Sequence, residues 1–352
     1  MRKERNAIGY ALLSAALFGA STPLAKLLLG EITPLLLAAV LYLGSGFGLL
    51  GWLGLRRVFG RTESISRLAG SDYLWLGGAI AAGGVVAPVL LVFGLLKTTG
   101  AAASLLLNLE PVLTAAIAWV VFRENVDRRV FVGMIVIVVG GVLLSWQEMP
   151  QGVNSASGPL LIAAACLAWA IDNNLTRRVS GGDAVTIACL KGLIAGSINL
   201  SLALELGASL PPASMLASAG LVGLLGYGIS LVLFIIALRH LGTARTGAYF
   251  AVAPFFGALL ALVVLNEQPT VFFWIATALM GLGVWLHVSE KHEHRHTHEE
   301  IEHTHEHEHD EHHQHTHGAG ITAARRHTHT HGHERLRHLH PHYPDIHHRH
   351  SH

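Results

Sequence analysis

The chain has 352 residues, 51% hydrophobic and only 13% charged, with a formal net charge of +1. A soluble domain carries about 25% charged residues, so this composition excludes an ordinary soluble domain, while the net charge, which hides an apolar part and a polar tail, says little about partners. Cys166 and Cys189, the only cysteines, lie in apolar runs. They support neither a disulfide framework nor a cysteine metal motif, and read as small packing residues.

A membrane helix needs about 20 mostly apolar residues. In chain order the sequence predicts ten, near 7–29, 33–55, 72–96, 100–122, 129–146, 157–178, 184–206, 213–238, 243–265 and 270–288. The first is longer than a signal-peptide core and lacks a convincing cleavage site. The joints carry turn or charge signals: Thr33-Pro34, Arg56-Arg57, Arg128-Arg129, Pro150 to Pro159, Pro211-Pro212 and Gln268-Pro269. Gly44/Gly48 and Gly192/Gly196 have the small-residue spacing that lets helices approach closely in lipid. Trp52, Trp146, Trp274 and Trp285 fall near span ends, as in an aromatic belt.

Lys and Arg set the orientation. Arg2, Lys3, Arg5, then Arg56, Arg57, Arg61, Arg67, then Arg123, Arg128, Arg129, then Arg177, Arg178, then Arg239 and Arg245 all fall on one side. The other side receives little beyond Lys97. Both termini are expected in the cytoplasm of a bacterial-type inner membrane.

One element occurs twice. Pro111 and Glu124 recur as Pro254 and Glu267, and Gly140 as Gly283, within LEPVLTAAIAWVVFRENV and VAPFFGALLALVVLNEQP. A fixed-offset repeat means that one unit was copied. Five spans separate the copies, an odd number, so the halves are expected to lie upside down relative to each other. That is the inverted-repeat plan of secondary transporters. The fold expected is an all-α integral membrane protein of ten transmembrane helices. Residues 1–146 and 157–290 form two inverted five-helix repeats, 147–156 a linker, and 291–352 a disordered tail.

With ALFGASTPLAK in the first span, its counterpart LAWAIDNNLTRRVS in the sixth, the duplicated Pro-Glu element and the trailing glycines, residues 7–288 resemble the drug/metabolite transporter superfamily, in its EamA-type group. The resemblance implies ten helices around a central cavity and secondary transport or export of small solutes. It leaves the substrate open.

Charge inside hydrocarbon is costly, so each buried ionisable group is a candidate. Glu110, beside Pro111 and near Asn108, is read as a proton or cation site. Its repeat counterpart is Ala253, so the architecture alone does not require the charge. Asp172 and Lys191 could meet across adjacent helices, as a register-fixing pair or a coupling pair, with Asn173 and Asn174 supplying hydrogen bonds. Lys26 is expected to snorkel to the interface, with Arg177 similarly placed. Pro111, Glu124, Pro254 and Glu267 are read as gating or structural elements. No Walker loop, dinucleotide fingerprint or zinc-protease motif occurs, so the chain is read as a non-enzyme. Protons are the coupling ion expected.

All histidines except His240 and His287 lie in 292–352. His292, His294, His296, His298, His303, His305, His307, His309, His312, His313, His315 and His317 alternate largely with Glu or Thr. This segment has too little apolar content for a core. Imidazoles with intervening carboxylates suit Ni, Co, Zn or Cu, bound loosely at several places. No cofactor is required. The partners expected are the bilayer, a small-molecule or metal-ion substrate, and protons; nucleic acid is not expected. The leading expectation is a metabolite exporter. The alternatives are a divalent-metal exporter fed by the tail and a metal-sensing membrane protein.

Overall fold

The computed structural model describes residues 2–58, 72–122, 128–147, 157–179, 183–241, 246, 249–288, 293–297, 301–307, 327–333 and 337–341. The chain divides into two units, Met1–Glu290 and Lys291–His352.

The first unit is built from helices α1 (Arg2–Leu28), α2 (Pro34–Val58), α3 (Asp72–Ala79), α4 (Ala87–Leu95), α5 (Gly100–Leu106), α6 (Leu109–Phe122), α7 (Arg128–Gln147), α8 (Ser157–Val179), α9 (Ala184–Glu205), α10 (Ala213–Gly223), α11 (Ser230–Leu241), α12 (Ala253–Val264) and α13 (Val271–Val288). A π-helical segment, Ile80–Val86, joins α3 to α4, and another, Leu224–Ile229, joins α10 to α11. Local chemistry starts the helices. Pro34 opens α2, where a missing N–H costs nothing. Thr99 caps α5 by accepting from the Ala102 amide at 3.2 Å, and Asp183 caps α9 by accepting from the Thr186 amide at 2.9 Å.

Among the described residues, eight segments are long and apolar enough to cross a membrane, and Ala253–Val264 and Val271–Leu286 are shorter apolar helices. The exterior is apolar, with Leu74 83% and Trp146 73% exposed, while Asn108 and Asn199 are wholly buried. A surface of this kind is stable only against hydrocarbon. The protein is therefore a multi-pass membrane protein. Trp52, Trp274 and Trp285 are exposed too, as an aromatic belt requires.

The sequence predicts a ninth span over 243–265 as one helix; its described part is helical at 246, 249 and 250 and again in α12, with a turn at 251–252 between them. Pro254 explains the break. It lacks an N–H and crowds the carbonyl of the preceding turn. Pro111 acts alike: the segment over 100–121 is divided by a turn at Leu107 and Asn108, between α5 and α6.

Helix contacts come in matching sets. The α1 helix packs on α11 and α12, while α8 packs on α4 and α6. The α2–α9 and α7–α13 pairs join the second and the fifth helical segments of the two halves. At the α2–α9 crossing it is Gly46, rather than Gly44, that meets Gly192; a Cβ on either would lie 2.6 Å from the other helix. Gly44 instead faces Gly220 of α10, and Gly196 faces Leu43.

In the second unit, strand β1 (Glu293–Thr297) pairs with β4 (Arg337–Pro341), and β2 (Ile301–His307) with β3 (His327–His333), all antiparallel. His303, His305 and His307 stand opposite His331, His329 and His327. Disorder is expected for this whole segment; these four stretches are the part of it that the structure describes. Alternation of His with Thr or Glu is a period-two pattern that suits a ladder. His292, His298, His309, His312, His313, His315 and His317 lie outside the described residues.

Candidate functional site

The α8 helix carries the centre of the site. Trp169, Asp172, Asn173 and Thr176 follow i, i+3, i+4, i+7 spacing, which makes one stripe along a helix. The stripe divides its polar groups between two neighbours.

Toward α9, Lys191 Nζ donates to both Asp172 carboxylate oxygens, at 2.6 and 2.7 Å. Thr176 donates to Asp172 Oδ1 at 2.8 Å, and Lys191 reaches Thr176 Oγ1 at 3.3 Å. Both charged side chains are nearly enclosed, at 11% exposure for Lys191 and 8% for Asp172. Each charge is thus neutralised where water is scarce. Removing either partner would strand the other.

Toward α6, Asn173 Nδ2 donates to Glu110 Oε1 at 2.8 Å and approaches Thr114 Oγ1 at 3.4 Å. Asn174 Nδ2 donates to the Thr114 and Ala170 carbonyls at 3.3 and 2.8 Å. Glu110 is half-buried and Asn173 exposed, so this pair keeps an accessible face deep in the span. Among the described residues the Glu110 carboxylate meets an amide and no cation.

Behind Asp172 lies the first π-helical segment. A wider turn takes carbonyls out of the ordinary helical ladder, and side chains fill the vacancies. Tyr42 Oη and Trp169 Nε1 both donate to the Gly83 carbonyl, at 2.6 and 3.1 Å. Asn199 Nδ2 donates to the Gly84 carbonyl at 3.2 Å. A Cβ on Gly83 would sit 1.9 Å from Asp172 Oδ2, so only glycine admits the carboxylate here. In the other half, Gly226 of the second π-helical segment stands against Ser21.

The remaining sequence-derived residues fall elsewhere. Asn108 is fully buried. It donates to the Leu105 carbonyl at 3.0 Å, with Met280 Sδ of α13 at 3.9 Å, and its Oδ1 has no hydrogen-bond partner among the described residues. Those contacts are with its own turn and with α13, and none is with the Glu110–Asp172 group. Lys26, expected to snorkel to the interface, donates to the Leu95 carbonyl at 2.8 Å and to the Thr98 carbonyl, at the joint after α4. It caps the end of α4, where carbonyls lack helical partners and a cation is favoured. Glu267 accepts from the Gly100 and Ala101 amides at 2.6 and 2.8 Å, so it caps α5 in the opposite half. Asn266, with φ 51°, makes the turn that leads into it. Glu124 lies outside the described residues. Among the described residues no three His, Cys, Asp or Glu side chains are grouped to hold a metal.

Sequence reasoning missed an aromatic cluster. Phe18 of α1 lies 6.4 Å from Trp169, 6.1 Å from Tyr227 and 5.4 Å from Phe250 between ring centroids. Tyr42 of α2 lies 5.4 Å from Tyr227, which belongs to the second π-helical segment. Trp169 could have been found, one turn before Asn173, as could Phe18 at the matching place in ALFGASTPLAK. Tyr42 and Tyr227 carry no local signal.

The sequence profile described as the EamA-like transporter family matches residues 5–146 and 156–289. An "uncharacterized transporter" of Methanothermobacter thermautotrophicus is 30% identical over 282 residues, 76% of this chain and 82% of that one. A crystal structure with 20% identity covers 79% of this chain and 95% of its own, with a TM-score of 0.59. At that identity the likeness concerns the fold alone.

Proposed function

Because this chain belongs to the EamA-like transporter family, we propose that it is a secondary active transporter of a bacterial-type inner membrane, exporting small metabolites by alternating access and proton coupling. The observation that carries the reading is Glu110. It is a carboxylate at a broken helix, half-buried and without a bonded cation among the described residues. A group held in this way can exchange a proton or a cation with whichever side is open.

The moving parts in this proposal are two inverted five-helix halves. Three features support that arrangement. The Pro-linked breaks before α6 and α12 correspond, as do the two π-helical segments, and helix contacts come in matching sets. The charges do not follow this symmetry. Glu110 corresponds to Ala253, and Asp172 against Gly83 corresponds to Ser21 against Gly226. A cavity shared by both halves would therefore take its charged groups from one side, with Glu110, Asp172, Asn173 and Lys191 on the pathway. Asn108 remains a proposed pathway residue only if its unpaired Oδ1 becomes accessible in another state. Lys and Arg placement supports cytoplasmic termini.

A second reading, divalent-metal export, is favoured by one observation, the concentration of histidine in the cytoplasmic tail. Ni, Co or Zn would then be the substrate and the tail its collector; sensing without transport is the third possibility. The test is reconstitution in liposomes with an imposed proton gradient, using the full chain and a version ending at Lys291. Uptake of amino acids, amines, Ni, Co and Zn would be followed. The expected outcome is gradient-driven movement of an organic solute by both versions, with Glu110→Gln reducing it at least about tenfold. Metal movement that depends on the tail would replace this reading with the second. No movement of any solute by folded protein would leave only sensing.

A further inference from the structure

We propose that Glu110, Asn173 and the rings of Phe18, Tyr227 and Phe250 form a binding site for a monovalent organic cation, a protonated or quaternary amine with an apolar body. The inference rests on the transporter reading and adds the chemical class of the cargo.

Charge comes first. Lys191 is committed to both oxygens of Asp172, so that pair is internally neutral. Among the described residues Glu110 accepts its side-chain hydrogen bond from the neutral Asn173 amide and forms no ion pair. The group as a whole therefore carries one uncompensated carboxylate among the described residues. An anionic cargo would meet that charge unscreened, at a cost that low dielectric magnifies. A zwitterion would need a free cation for its own carboxylate. The lysine of this group is already occupied by two oxygens and a hydroxyl. A divalent metal would find one carboxylate and one amide, too few ligands for a closed site. A cation with a single charge balances the group.

The aromatic cluster supplies the second half of the argument. Rings from α1, α2, α8, the second π-helical segment and the chain before α12 are linked pairwise at 5.4–6.4 Å, three of the four pairs through Phe18. The polar atoms of Tyr42 and Trp169 are tied to the Gly83 carbonyl, which fixes their rings. Phe18, Tyr227 and Phe250 are only half-buried, so they retain accessible surface. Trp169 and Asn173, one helical turn apart, connect the rings to the carboxylate. Ring faces attract cations and pack against apolar bodies, and a fixed carboxylate adds direction. The combination recognises an amine better than an uncharged metabolite of the same size.

The test uses purified full-length protein in lipid nanodiscs and four probes of similar size: benzyltrimethylammonium, phenethylamine, phenylalanine and phenylacetate. Binding is read by calorimetry. The two cations are expected to bind at least about tenfold more tightly than phenylalanine and phenylacetate. Glu110→Gln should abolish that discrimination. Phe18→Leu, which keeps an apolar side chain, should weaken the cations about three- to tenfold and leave phenylacetate unchanged. Equal or tighter binding of phenylalanine, retained discrimination in folded Glu110→Gln, or no binding of any probe would each overturn the proposal. Liposome transport run in parallel separates the two levels. Gradient-driven movement of phenylalanine without cation binding sinks the cargo class and spares the transporter. Cation binding without movement of any solute supports the site and removes the transport reading.

Discussion

Gly83 and Asp172 set the geometry at the residue scale. The carboxylate occupies the place of the missing side chain, and the glycine carbonyl receives Tyr42 and Trp169. Gly83→Ala should therefore displace Asp172 and destabilise the protein by about 3 kcal/mol in detergent unfolding. Gly77→Ala, with open space around it, should be neutral in the same assay. An unchanged midpoint for Gly83→Ala would show that the carboxylate can leave without cost. The ion pair makes a separate expectation. Lys191→Met or Asp172→Asn alone should cost about 3–5 kcal/mol, because each leaves a buried charge, or its partner, unmatched. The double variant should recover most of that loss. Transport by a stable double variant would assign the pair to structure; loss of transport would assign it to the pathway. Glu110, Asp172 and Lys191 were legible as sequence because charge in an apolar run is rare. The Asp172–Lys191 contact was legible too, since adjacent antiparallel helices offer few partners. Asn108 was not: its polarity is visible, but its direction depends on the turn made before Pro111.

At the scale of elements, helix ends are held by side chains distant in sequence. Glu267 holds the first turn of α5, and Lys26 holds the last turn of α4. Glu267→Ala should lower stability by about 1–2 kcal/mol, the usual cost of losing a cap with two charged hydrogen bonds. Glu267→Gln should lose less, since an amide oxygen can still accept one bond. If both were indistinguishable from the parent in thermal unfolding, the cap would contribute nothing. The repeat of Pro111 and Glu124 marked these ends in advance, without revealing that the carboxylate serves the opposite half. The π-helical segments left no mark in hydropathy. Nothing in an apolar run of this composition distinguishes five residues per hydrogen-bonded turn from four, whereas packing of Tyr42, Trp169 and Asn199 against freed carbonyls does.

For the whole molecule, topology is the first expectation to check. Cys166 and Cys189 are buried, so single added cysteines can be read over a low background. Ser209→Cys, in the exposed turn after α9, should react with an impermeant maleimide in intact cells. Arg57→Cys, at the end of α2, should react only after the membrane is opened. The reverse pattern would overturn the orientation derived from Lys and Arg. Composition and hydropathy by themselves determined that this chain crosses the membrane repeatedly, that it contains a duplicated unit, and that its histidines are gathered in a separate tail. Those properties are additive along the chain: each follows from transfer of local segments into lipid, or from counting residues. Which glycines touch, where Lys26 and Glu267 bond, and how Phe18, Tyr42, Trp169, Tyr227 and Phe250 come together were decided only in three dimensions. Lipid makes every apolar face equally acceptable on the outside, so hydropathy cannot say which face turns inward. Close packing and the need to satisfy buried polar groups make that choice.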